Sequence, residues 1–73
     1  MNEKRERFVR IAEKRTNKIL EQIRLLGNCS NKHNYLYDDQ QVDKIFKAIE
    51  KELDLAKKKY YMNKEKGKFS LRW

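Results

Sequence analysis

Two segments of this chain repeat apolar residues at helical spacing, and no proline interrupts either of them. In the first, Val9, Ala12, Thr16, Ile19, Ile23 and Leu26 are separated by 3, 4, 3, 4 and 3 residues. In the second, Val42, Phe46, Ile49, Leu53, Ala56 and Tyr60 are separated by 4, 3, 4, 3 and 4 residues. This alternation keeps side chains on one face of an α-helix, whereas a strand, with a period of two, would scatter them over both faces. Glycine occurs only at Gly27 and Gly67, which leaves few points for tight turns and argues against a β fold. The pattern predicts an all-α chain: an antiparallel two-helix hairpin over 1–64, with helices over about 2–26 and 39–64. A loop of about ten residues joins them, and a basic aromatic tail follows over 65–73.

The helix boundaries carry their own signals. Phe8, Ile11 and Leu20 widen the first apolar face, and Ile45 lies beside the second. Gly27 follows the last seam residue of the first helix, where a left-handed C′ position favours glycine. Asp38 and Gln41 have the spacing of a capping box, and Tyr37 and Val42 that of a hydrophobic staple. Asp39 and Asp43 suit the positive end of the second helix dipole, and Lys57, Lys58 and Lys59 suit the other end. Gly67 is expected to stop this helix, and Tyr35, Leu36 and Tyr37 to fold back over the helix ends.

With 73 residues, 38% apolar and 41% charged, a single hairpin is lean for a self-sufficient core. The hairpin is therefore expected to form a homodimer, as a four-helix bundle, or to be completed by another protein. No apolar run approaches the ~18 residues of a membrane span, so no membrane association is expected. The N-terminus lacks the apolar stretch of a secretory signal, and Cys29, the one cysteine, cannot form an internal disulfide. Together these features predict a cytoplasmic protein.

Charge is unevenly distributed. Residues 1–15 carry six Lys/Arg against three Glu, and residues 57–73 carry seven against one. Residues 38–56 hold six acids against three Lys. A single bend would bring the two basic termini to one end, and such a field points to a polyanionic partner. Lysine and arginine neutralise phosphates and release counterions, and six such contacts would give a log–log salt slope of roughly −5 on duplex DNA. Tyr60, Tyr61, Phe69 and Trp73 are interleaved with the second basic set and can stack on unpaired bases. The leading expectation is nucleic-acid binding through Arg5, Arg7, Arg10, Lys14, Lys57, Lys58 and Lys59, with Lys66, Lys68 and Trp73 adding contacts from the tail. Reversing Lys57, Lys58 and Lys59 should then weaken binding and spare helicity. The plainer alternative is a solvated surface that keeps a small chain soluble.

Catalytic and metal signatures are not found in the sequence. Cys29 and His33 offer two ligands where a structural zinc site needs four, and no third group nearby orients them as a nucleophilic pair. Capping and dipole matching account for Asp38, Asp39 and Asp43. Thr16 breaks the first apolar seam, either bonding back to the carbonyl of residue 12 or fixing register in an oligomer. No enzyme, metal or cofactor is expected.

The stretches Arg15-Thr16-Asn17-Lys18-Ile19-Leu20, Ile23-Arg24-Leu25-Leu26-Gly27-Asn28-Cys29-Ser30-Asn31 and Val42-Asp43-Lys44-Ile45-Phe46-Lys47-Ala48-Ile49-Glu50 resemble a group of short uncharacterised proteins. These are encoded on plasmids, prophages and conjugative elements of low-GC Gram-positive bacteria. The resemblance spans about residues 7–60 and is most distinctive from Leu26 to Asn31. It implies either an accessory nucleic-acid-binding protein of a mobile genetic element or a small inhibitor of a host enzyme, of the anti-CRISPR kind. In the second case the apolar faces near Phe8, Ile11, Leu20 and Ile45 would pack against a host protein partner.

Overall fold

A computed structural model describes the backbone of residues 2–69 and the side chains of residues 2–63. The chain is all-α, with helix α1 over Glu3–Asn28 and helix α2 over Asp39–Phe69, and no strand occurs among the described residues. It divides into two units, Met1–Leu36 and Tyr37–Trp73, each built around one helix. No helix among the described residues is long and apolar enough to cross a membrane.

The start of α1 is set by a residue the spacing argument did not single out. Asn2 has an extended backbone, and its side-chain Oδ1 accepts hydrogen bonds from the backbone N–H of Lys4 at 2.8 Å and of Arg5 at 3.4 Å. Two of the four unpartnered N–H groups of the first turn are thus satisfied. Glu3 and Glu6 lie in the same turn and favour the positive dipole end.

The other end of α1 corrects an expectation. Gly27 does not adopt a left-handed cap; it lies inside the helix, which continues to Asn28. The chain leaves through tighter turns instead: the Cys29 N–H donates to the Leu26 carbonyl at 3.0 Å and the Ser30 N–H to the Gly27 carbonyl at 3.1 Å. Bonds of this i to i+3 type satisfy terminal carbonyls without a positive φ. A methyl group at Gly27 would meet nothing within 4 Å. Gly27→Ala is therefore expected to stabilise α1 by about 1 kcal/mol, the usual penalty of glycine in a helix interior. Circular dichroism should show higher helicity and a higher melting midpoint; a loss of both would mean that position 27 needs a left-handed backbone.

In the loop, Asn31 organises a single turn. Its Oδ1 accepts from the His33 N–H at 2.9 Å, and its carbonyl accepts from the N–H groups of Asn34 at 3.1 Å and Tyr35 at 3.0 Å. Leu36 is 100% exposed and covers nothing, contrary to expectation. Tyr37 is half-buried, as is Val42, the two residues of the staple.

The capping box of α2 forms as the sequence predicts. The Gln41 N–H donates to Asp38 Oδ1 at 2.8 Å, and the Asp38 N–H donates to Gln41 Oε1 at 3.0 Å. At its other end α2 passes Lys64 and Gly67 and runs to Phe69. Gly67 does not stop it, because one interior glycine costs only about 1 kcal/mol relative to alanine and no proline follows.

Each helix carries its apolar seam as an open stripe. Among the described residues no side chain is buried, and half-burial is confined to Ala12, Leu26, Tyr37, Val42 and Ile49. Four of these five are seam positions. Large seam residues such as Ile19, Phe46 and Leu53 are 44–57% exposed, so the helices present apolar faces that a further packing event would cover.

Candidate nucleic-acid interface

Helical geometry sorts the expected contact residues into groups. Successive residues on an α-helix point about 100° apart. On α1 this places Arg7, Arg10, Lys14 and Lys18 on the side facing away from the seam, over about 16 Å of axis. Arg5 falls elsewhere: it stands four residues before Val9 and continues the seam side. Arg5 is therefore not brought together with Arg10 and Lys14.

Two shallow surface hollows divide the α1 cations further. One is lined by Glu3, Glu6, Arg7 and Arg10, so its charges balance. The other is lined by Arg10, Ile11, Lys14, Arg15 and Lys18, which are four cations, one apolar residue and no acid. None of these four cations makes an ion pair among the described residues. Arg10, Lys14 and Lys18 also follow one another at i, i+4 spacing, where like charges each destabilise a helix by about 0.2–0.5 kcal/mol. An anion laid along the hollow would relieve that repulsion. By contrast, on α2 the i, i+4 pair Asp43–Lys47 is complementary and closes at 3.0 Å.

Lys18 was outside the expected set. Its signal was present in the sequence as the i+4 step from Lys14, masked by a count of charge restricted to residues 1–15.

The three consecutive lysines of α2 do not share a face. Lys57 and Lys59 border the apolar seam on opposite sides, while Lys58 lies on the far side of the helix with Lys44, Lys47 and Lys51. Asp43 and Asp54 border that lysine row and dilute its field. Tyr60 stands on the seam and Tyr61 beside Lys58, at 62% and 57% exposure. The side chains of Lys66, Lys68 and Phe69, and all of Trp73, lie outside the described residues.

Cys29 and His33 do not build a ligand set. The Cys29 thiol is exposed and lies 3.8 Å from the Leu25 carbonyl, and among the described residues no three His, Cys, Asp or Glu side chains gather as metal ligands. The site that the geometry assembles most clearly is thus a straight, unpaired basic hollow on one helix. Comparison of the chain with known protein families, with curated proteins and with solved structures finds no match at any of the three levels.

Proposed function

We propose that this chain binds nucleic acid through the basic hollow of α1, with Arg10, Lys14, Arg15 and Lys18 as the phosphate-contacting residues. The observation that carries this reading is a hollow lined by four unpaired cations and no acid, three of which, Arg10, Lys14 and Lys18, lie on the helix side turned away from the apolar seam. A linear row of charge suits an extended polyanion better than a single phosphate. It contacts backbone and carries no base code, so binding tolerates sequence. An accessory or regulatory role on a mobile genetic element agrees with this mode and with the resemblance of residues 7–60, and the chemistry asked of the chain is binding, not catalysis.

Four neutralised phosphates give a log–log salt slope between about −3 and −4 on duplex DNA. Fluorescence anisotropy with a labelled 20-base-pair duplex (a probe of ~20 bp exceeds the ~12 Å row several-fold) measures it. A slope near zero would overturn the proposal. Strong binding to a protein that survives high salt, with no nucleic-acid binding, would favour the second reading, in which the exposed apolar side chains near Phe8, Ile11, Leu20 and Ile45 pack against a host protein.

A further inference from the structure

We propose that α2 pairs antiparallel with α2 of a second copy of this chain, in one defined register. The seam of α2 runs through Val42, Phe46, Ile49, Leu53, Ala56 and Tyr60. Along one edge of this seam stand Glu50 and, seven residues later, Lys57; along the other stand Glu52 and, seven residues later, Lys59. Each edge therefore reads acid then base. All four side chains are exposed, and none is ion-paired among the described residues. Glu52 and Lys59 have no opposite charge three or four residues away on their own helix, so nothing local uses them.

An antiparallel second copy turns each edge end for end against itself. Glu50 then meets the partner's Lys57, and Glu52 meets the partner's Lys59, and the two-fold axis repeats both pairs. In the same register Leu53 faces the partner's Ala56, a large residue over a small one, and Ile49 faces the partner's Tyr60. Sliding by one heptad in one direction sets Glu50 against the partner's Glu50 and Glu52 against the partner's Glu52. Sliding the other way sets Lys57 against the partner's Lys57 and Lys59 against the partner's Lys59. Parallel pairing satisfies Glu52 with the partner's Lys57 but leaves Glu50 against the partner's Ile45. Of these arrangements, the first alone sets each of Glu50, Glu52, Lys57 and Lys59 against an opposite charge, and the matching charges come from a copy of the same sequence. The edges of the α1 seam, Glu6, Glu13 and Leu20 on one side and Phe8, Arg15 and Gln22 on the other, lack this order.

This inference stands apart from the nucleic-acid reading, because it uses neither α1 nor its cations. Sedimentation equilibrium of the full chain under reducing conditions, without nucleic acid, tests it. Glu52→Lys and Lys59→Glu are each expected to raise the dimer dissociation constant roughly tenfold, since each reverses two exposed pairs by symmetry. Combining the two restores the pairs with their signs exchanged and should return the constant to near the wild-type value. A monomeric wild type, single variants that associate normally, or a double variant as weak as the singles would each overturn the proposal. Orientation is read by a second measurement, which reports proximity through a covalent bond. In a Cys29→Ser background, copies carrying Glu52→Cys should form disulfides with copies carrying Lys59→Cys faster than either forms them with itself; equal rates would contradict the register.

Discussion

Replacing Arg10, Lys14 and Lys18 together by glutamate is expected to weaken binding to duplex DNA roughly 100-fold at ~50 mM salt. Three of the four cations lining the hollow are lost, and three negative charges take their place on the same line. The loss should be uniform across DNA sequences, because backbone contacts carry no base information. Helicity should change little, since the wild-type residues already repel one another at i, i+4 and the variant exchanges one like-charge row for another. Self-association should also be unchanged, because these residues face away from the α1 seam and do not belong to α2. The comparison variant is the reversal of Lys57, Lys58 and Lys59. Lys57 and Lys59 border the α2 seam on opposite sides and Lys58 lies on the far side near Asp54, so no acid-free hollow gathers the three, and the loss of DNA affinity should be several-fold smaller. Self-association should instead suffer, because Lys57 and Lys59 are the edge cations of the proposed α2 pair. Equal DNA-binding losses in the two triple variants would remove the assignment to α1.

Leu53→Asp is the second large effect. Leu53 is 53% exposed on the α2 seam and is assigned there to face the partner's Ala56. Two-fold symmetry would place two carboxylates inside one apolar interface, and an unpaired charge taken out of water costs several kcal/mol. Self-association should weaken at least ~100-fold, and α2 should lose part of its helicity, because most helical stability comes from packing the apolar face. Leu53→Met keeps the volume and apolarity and should associate within a few-fold of wild type. Sedimentation equilibrium and circular dichroism read both outcomes. Leu53→Asp that still associates and remains fully helical would show that the α2 seam is not what a second copy covers.

Local signals made the helices legible and left parts of their ends illegible. The capping box was readable because Asp38 and Gln41 are chemically specific at that spacing, and their two reciprocal bonds form. Asn2 was missed because a lone asparagine at a chain start carries no periodic signal, although it caps α1 twice. Gly27 and Gly67 misled for one reason. Glycine permits a left-handed backbone but does not require it, and both helices run through their glycine at a modest energetic cost. The site was half legible. Arg10 and Lys14 were expected and lie in the same hollow, whereas Arg5 shares their charge but not their face. Counting charge by stretches of sequence cannot make that distinction, because the angle around the helix decides which cations act together. Lys57 and Lys59 were grouped with Lys58 by adjacency, yet helical geometry sets them on the two edges of the α2 seam.

The measurement that bears most directly on the central claim is a salt titration of DNA binding, run in parallel on the wild-type chain and on the Arg10→Glu, Lys14→Glu, Lys18→Glu variant. The account predicts a wild-type log–log slope between about −3 and −4 and a variant slope reduced by about 3, one unit for each cation removed. Two parallel lines, displaced or not, would contradict it, because the counterions released on binding would then come from somewhere other than this face of α1.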